Sequence, residues 1–244
     1  MLPNLKIWLN HFEYHSQHAR RVPEGISNVL SVTERRLIAG SIAVFQLNEQ
    51  SSGDALLRAA YRFAQEHATP EVARIAELLI REEQQHAALL RAFMAAHAIP
   101  IRQHRWTNGV LRRLRNMAEL ELALGLLLST ELIGHVYYRA LEMATGCQRL
   151  RLLCRMLVAD ELAHVGFESD LLLALRGRKP APARIAVDLA HRTLFVGTTL
   201  AAWIAHRAVL SQAGYGMLGF LKACRAQYRF YLQPPHVNVS ASSV

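Results

Sequence analysis

The chain reads as all-α, and three observations carry that reading. Strand signals are almost absent while Ala, Leu, Arg and Glu dominate. Helix start and stop signals recur at helix-length intervals. Two copies of a Glu-x-x-His pattern sit inside strongly apolar stretches, where a spacing of three puts both side chains on one helix face. With 244 residues and 52% hydrophobic content, the chain is long enough to bury a sizeable core as one domain spanning 1–244.

Taken in order, residues 1–30 form an aromatic and histidine-rich lead containing Trp8, His11, Phe12, Tyr14, His15 and His18. His11, His15 and His18 fall at helical spacing. With no acidic partners at that spacing, they read as a docking helix rather than a metal site. Ser31-Val32-Thr33-Glu34 is a capping box that opens a first long helix over about 32–67. Gly53 lies inside that span, and both room for oxygen or substrate and close helix packing account for a glycine there. Thr69 as cap and Pro70 in the first helical position start the next helix, about 70–97, which ends before Ile99-Pro100.

Ile101–Arg115 is the most basic stretch, with Arg102, His104, Arg105, Arg112, Arg113 and Arg115 around Trp106. It reads as a solvated crossover or a subunit contact ahead of a phosphate-binding, base-stacking surface. Asn116-Met117-Ala118-Glu119 is a second capping box, opening a helix over about 117–145. A turn at Thr145-Gly146 leads to a helix over about 148–176, stopped by Gly177 and Lys179-Pro180-Ala181-Pro182. Two further helices, about 183–213 and 216–232, are split at Gly214-Tyr215-Gly216. The first is apolar nearly all round between His191 and His206, so the bundle or another subunit must cover it. The tail from Gln233 reads as irregular.

The stretches that carry chemistry are Arg81-Glu82-Glu83-Gln84-Gln85-His86 and Asp160-Glu161-Leu162-Ala163-His164. Carboxylates in apolar helical text are costly unless paired or metal-bound. Metal sites built in helix bundles also draw one Glu from each of two further helices. Glu131 suits the second pair, because Glu131 and Glu161 lie equally far on either side of Gly146. For the first pair Glu49 is the best match, although counting from the turn near residue 68 leaves it about 6 Å out of level with Glu83 at 1.5 Å rise. Glu66 is too close to the turn, Glu34 too far, and Glu119 and Glu121 lie near the start of their helix. Glu49, Glu83, His86, Glu131, Glu161 and His164 therefore form the candidate ligand set. Its four carboxylates balance two divalent cations.

In this ordered pattern of Glu, Glu-x-x-His, Glu, Glu-x-x-His, the chain resembles the ferritin-like di-iron carboxylate proteins over about residues 32–176. The resemblance implies a ferritin-like four-helix bundle with a long crossover between its second and third helices, plus an N-terminal segment and two additional C-terminal helices (about 183–232). It also implies two Fe ions, with mixed Mn/Fe open, and O2 as co-substrate. Asp160 matches a carboxylate that hydrogen-bonds a ligand histidine in several members. Glu82 occupies the equivalent place in the first motif, where a surface salt bridge is an equal reading. His135 and Tyr138, on the face of Glu131, are further candidates: His135 as outer support, extra ligand or proton donor, and Tyr138 as a redox group or a satisfied core tyrosine. Glu168, one turn after His164, lies on the same face.

The expected activity is that of an oxygen-dependent non-haem di-iron oxidoreductase, an oxygenase or oxidase acting on a small organic substrate. The N-terminal and C-terminal helices would wall its pocket, and an external electron donor would reduce the centre. An RNA-modifying di-iron hydroxylase, a ferroxidase or iron-storage protein, and a non-enzymatic helical adaptor are the alternatives. The net charge of +9 keeps a nucleic-acid partner open. Cys147, Cys154 and Cys224 show neither disulfide nor metal spacing, which fits a reducing cytoplasm. No signal peptide is visible, and the windows Leu120–Ile133 and Leu194–Ile204 are too short or too interrupted to span a bilayer comfortably. The expectation is a soluble cytoplasmic protein, most simply a homodimer with no membrane partner.

Overall fold

The computed structural model describes residues 2–18, 21–50, 53–102 and 120–233. Among these there are eight α-helices and no strand: α1 Leu5–Gln17, α2 Val32–Glu49, α3 Asp54–His67, α4 Pro70–Ala96, α5 Leu120–Met143, α6 Gln148–Gly177, α7 Ala181–Gln212 and α8 Met217–Leu232. The fold is all-α, as expected. The arginine-rich crossover beyond Arg102, the capping box at Asn116 and the tail beyond Gln233 lie outside the described residues.

The expected first long helix is two helices. α2 ends at Glu49 and α3 begins at Asp54, with Gly53 as its N-cap at φ +64°. A Cβ at Gly53 would collide with the Ile80 side chain of α4. Close packing, not space for a substrate, is therefore what this glycine serves. The break also removes the register problem at Glu49, since that count assumed one unbroken helix between residues 49 and 68.

Local signals hold at most other ends. Ser31 Oγ accepts the Glu34 N–H at 3.2 Å, and the Glu34 carboxylate accepts the Ser31 N–H at 3.1 Å. The other oxygen of Glu34 accepts the Gly146 N–H, tying the start of α2 to the α5–α6 turn. Pro70 opens α4, but Thr69 makes no capping hydrogen bond, so proline rather than threonine marks that start.

α5 packs against α3, α6, α7 and α8, and α4 against α1, α2, α3 and α6. The buried apolar residues form two clusters. One holds Leu56–Phe63 side chains of α3, Val72–Ile80 of α4 and Val165–Leu172 of α6. The other holds Ile38–Phe45 of α2, Leu90–Met94 of α4 and Leu150–Leu157 of α6. Glu49, Glu83, His86, Glu161 and His164 fall in the gap between them in sequence, so a polar layer separates two apolar ones.

α7 is fixed to this body by two buried histidines. His206 Nδ1 lies 2.8 Å from Ser41 Oγ, and His191 Nδ1 accepts from Arg176 Nη2 at 2.8 Å. Burial pushes His206 down to about 3 and His191 to about 4, so both are neutral hydrogen-bonding groups. The outer side of α7 exposes Ile185, Leu189, Val196, Leu200 and Ile204. α5 and α7 are each long and apolar enough, by length and composition, to cross a membrane. The windows judged too short in the sequence underestimated these helices, which run well past them. α5 is mostly buried, whereas α7 is mostly not.

Gly53→Ala should destabilise the protein by about 1–3 kcal/mol, because it combines a left-handed backbone with a collision in the core. Gly177→Ala, with open space around its Cβ position, should change stability by less than about 1 kcal/mol. Urea denaturation of the two variants checks the difference.

Candidate metal centre

Each predicted ligand arrives from its own turn of helix. Glu49 is the last residue of α2, Glu83 and His86 project from the middle of α4, Glu131 from α5, and Glu161 and His164 from α6. All six are buried, the most exposed being Glu49 at 9%. They form two overlapping groups whose ligating atoms lie within 4.8 Å of one another. Glu49, Glu83, His86 and Glu161 make one group, and Glu83, Glu131, Glu161 and His164 the other. Glu83 and Glu161 belong to both.

Both imidazoles turn Nδ1 inward. His164 Nδ1 stands 3.0 Å from Glu83 Oε1, 3.5 Å from Glu161 Oε2 and 3.9 Å from Glu131 Oε1. His86 Nδ1 stands 3.3 Å from Glu161 Oε1 and 3.6 Å from Glu83 Oε1. The two rings lie 5.9 Å apart at 25°, close to parallel. Many inward atoms have no hydrogen-bond partner among the described residues, including His86 Nδ1, His164 Nδ1, Glu49 Oε2, Glu161 Oε2 and both oxygens of Glu131. Buried groups of this kind are normally satisfied. A donor set of carboxylates and imidazoles converging without partners fits two divalent cations.

The outward faces of the imidazoles are held crosswise. His164 Nε2, on α6, donates to Glu82 Oε2 of α4 at 3.2 Å, while His86 Nε2, on α4, lies 3.5 Å from Asp160 Oδ2 of α6. Each Glu-x-x-His helix therefore orients the histidine of the other with the carboxylate just before its own ligand Glu. Glu82 is thus no surface salt bridge. It sits beneath α1 and contacts His15 Nδ1 at 3.7 Å. Such outer hydrogen bonds fix tautomer and ring direction.

The remaining candidates divide. His135 and Tyr138 are buried on α5, and neither belongs to the two ligating groups. His135 hydrogen-bonds the Glu161 backbone, and burial holds it below its ordinary value. The Tyr138 hydroxyl has no hydrogen-bond partner among the described residues. Burial, then the charges of Glu49, Glu161 and Glu83, push its phenol well up. Glu168 is fully buried beside Glu131, and among the described residues neither of its oxygens has a hydrogen-bond partner. The rejected carboxylates have other tasks: Glu34 caps α2, and Glu121 pairs with Arg176 and Lys179 at 3.5 and 3.0 Å. Glu66 faces solvent, and Glu119 lies outside the described residues.

Sequence reasoning missed the contribution of α1. Phe12 stacks over His164 with ring centroids 5.7 Å apart, and Trp8 lies over Gly166, where a Cβ would meet its indole at 2.7 Å. Trp8 Nε1 donates to Asp170 at 3.2 Å. The signal was present in Gly166 and the aromatic lead, but only the fold pairs them.

Without metal the centre must neutralise itself with protons. Burial, and then the charges of Glu83 and Glu161, hold Glu49 well above the carboxylate range. Glu131 is raised by burial and by Glu168 and Glu161. Burial works against charged imidazoles, but His86 and His164 are nonetheless raised well above their usual value by the carboxylates around them. Burial likewise works against charge on Glu83, and the close imidazoles of His164 and His86 override it to lower that carboxyl.

The sign of the pH dependence follows. Raised imidazole pKa values stabilise the metal-free fold fully below about pH 6.5, and that contribution is lost as pH rises through the higher folded values. Metal-free protein should therefore lose thermal stability above about pH 6.5, while protein loaded with a divalent cation should not. Bound cations displace these protons, so apparent affinity should rise about tenfold or more per pH unit. Differential scanning calorimetry and chelator competition at several pH values check both. No family model, curated protein or solved structure matches the chain, and the chemistry of the centre is carried by its own residues.

Proposed function

We propose that this chain is an oxygen-dependent non-haem di-iron oxidoreductase of the ferritin-like type, acting on a small organic molecule. One observation carries the reading. Six buried carboxylate and imidazole side chains from four helices converge as two four-membered groups sharing Glu83 and Glu161. In that reading α2 with α3, α4, α5 and α6 form the four-helix bundle, and α1, α7 and α8 are additions around it.

Two iron ions, or manganese and iron, fit the donor set better than zinc, which prefers fewer and softer ligands. When bound, iron supplies the redox chemistry with O2 that the side chains lack. The chain supplies the rest. Glu83 and Glu161 would contribute to both metal positions, and Glu49 and Glu131 to one each. His86 and His164 are fixed through Asp160 and Glu82, and Phe12 excludes water above His164. Tyr138 and Glu168, both buried beside the centre, can give or hold a proton at the phenol oxygen and carboxyl oxygen. An open cleft of about 380 Å³, lined by Gln50, Gln84, Ala87, Ala88 and Arg91, lies at the residues following Glu49 and Glu83 and supports substrate approach from that side.

The additional helices favour an oxygenase or oxidase over an iron-storage subunit, which needs only the bundle. The apolar outer side of α7 supports a homodimer that removes it from water. The RNA-modifying alternative depends on the crossover arginines.

Protein from iron-supplemented cells should contain about two irons per chain and, reduced anaerobically and then mixed with O2, show a transient visible absorption. Glu83→Ala with Glu161→Ala should lower the iron content by about two per chain and abolish the absorption while leaving helicity intact. No bound metal in the wild type, with this double variant folding equally well, would replace the enzyme reading with a helical adaptor. Elution as a large cage would replace it with iron storage.

A further inference from the structure

We propose that His15 of α1, Glu82 of α4 and Asp160 of α6 form a separate cation site, outside the six-ligand centre, that takes one divalent transition-metal ion. One ligating atom from each of the three lies within 4.8 Å of the others. His15 Nδ1 is already 3.7 Å from Glu82 Oε1, so small side-chain movements bring the donors around one ion.

The oxygens of the two carboxylates are divided between two tasks. Glu82 uses Oε2 for His164 and turns Oε1 to His15, while Asp160 turns Oδ2 to His86. Glu82 can therefore turn to the ion without releasing His164. Among the described residues, the ion-pair partners of Glu82 are both imidazoles, His15 and His164, with no Lys or Arg. A histidine that ligates metal through Nδ1 is neutral and donates only its Nε2–H. Glu82 and Asp160 then bring two negative charges into a largely buried place, which one divalent ion balances. This charge argument rests on the dinuclear reading, whereas the convergence of the three residues does not.

The position differs in kind from the buried centre. The side chains of His15 and Glu82 are each 17% exposed, so water can occupy the remaining coordination positions. His11 stacks on His15 with ring centroids 4.4 Å apart at 28°, holding the imidazole in place. One imidazole and two carboxylates suit Mn(II), Fe(II), Co(II) or Zn(II) rather than a soft ion. An ion there also joins α1 to α4 and α6.

The rival account is a plain His15–Glu82 ion pair that docks α1. Anaerobic titration of the full chain with Mn(II), counting free ion by electron paramagnetic resonance, separates the two. The wild type should bind one ion per chain more than His15→Ala, and Glu83→Ala with Glu161→Ala should retain one ion that adding His15→Ala removes. Circular dichroism confirms that each variant is folded, and if the double variant is not, the comparison of wild type with His15→Ala decides alone. Equal counts in wild type and His15→Ala overturn the site, as does a folded double variant that binds nothing. A wild type that binds a single ion, lost in His15→Ala, keeps this site and instead removes the dinuclear reading.

Discussion

The structure depends on keeping Glu49, Glu83, Glu131 and Glu161 together in a core that water does not reach. Two like charges about 4 Å apart repel by about 4 kcal/mol even at an effective dielectric of about 20. Glu168, fully buried next to Glu131, adds to the load. Among the described residues, the ion pairs of Glu83, Glu131 and Glu161 are made with His86 and His164 and with no Lys or Arg. Either protons or metal ions must close the balance. That requirement explains why the polar residues gather in one layer between two apolar clusters instead of being spread along the helices.

The same constraint accounts for the crosswise arrangement of α4 and α6. Each helix carries two adjacent carboxylates, Glu82-Glu83 and Asp160-Glu161, about 100° apart around the axis. One of each pair faces inward to the shared ligand position. The other reaches the far side of the opposite histidine, as Glu82 does with His164 and Asp160 with His86. Neither imidazole can rotate without losing both contacts. Two five-residue motifs thus build a mutually supporting unit, and α2 and α5 need to supply only Glu49 and Glu131.

Much of this was legible in the sequence because the information is local. A spacing of three on a helix fixes the relation of Glu to His, and the turn at Gly146 fixes the level of Glu131 against Glu161. Boundaries of α4, α6, α7 and α8 follow from proline and glycine. What was not legible depends on contacts between distant segments. The end of α2 at Glu49 has no strong breaker except Gly53, whose left-handed backbone and contact with Ile80 only the folded chain displays. Glu82 read as a surface ion pair no less than as support for a ligand histidine, because the helix that covers it, α1, comes some 70 positions earlier in the chain. The outer face of α7 was anticipated as apolar, but its inner anchorage through His191 and His206 required knowing that Arg176 and Ser41 lie opposite.

α1 shows most clearly how position alters the meaning of a residue. In sequence, His11, His15 and His18 have no carboxylate that could share a metal, and a docking helix is the economical reading. Docking is in fact what the aromatic side does: Trp8 settles on Gly166, and Phe12 closes over His164. Because Phe12 and His15 are three residues apart, the helix that seals the centre necessarily points an imidazole at the carboxylates beside it. Glu82 and Asp160 come from two other helices, each fixed there by the need to hold a histidine. Sealing the buried centre and assembling a cluster of ligands on its edge are therefore one geometric event.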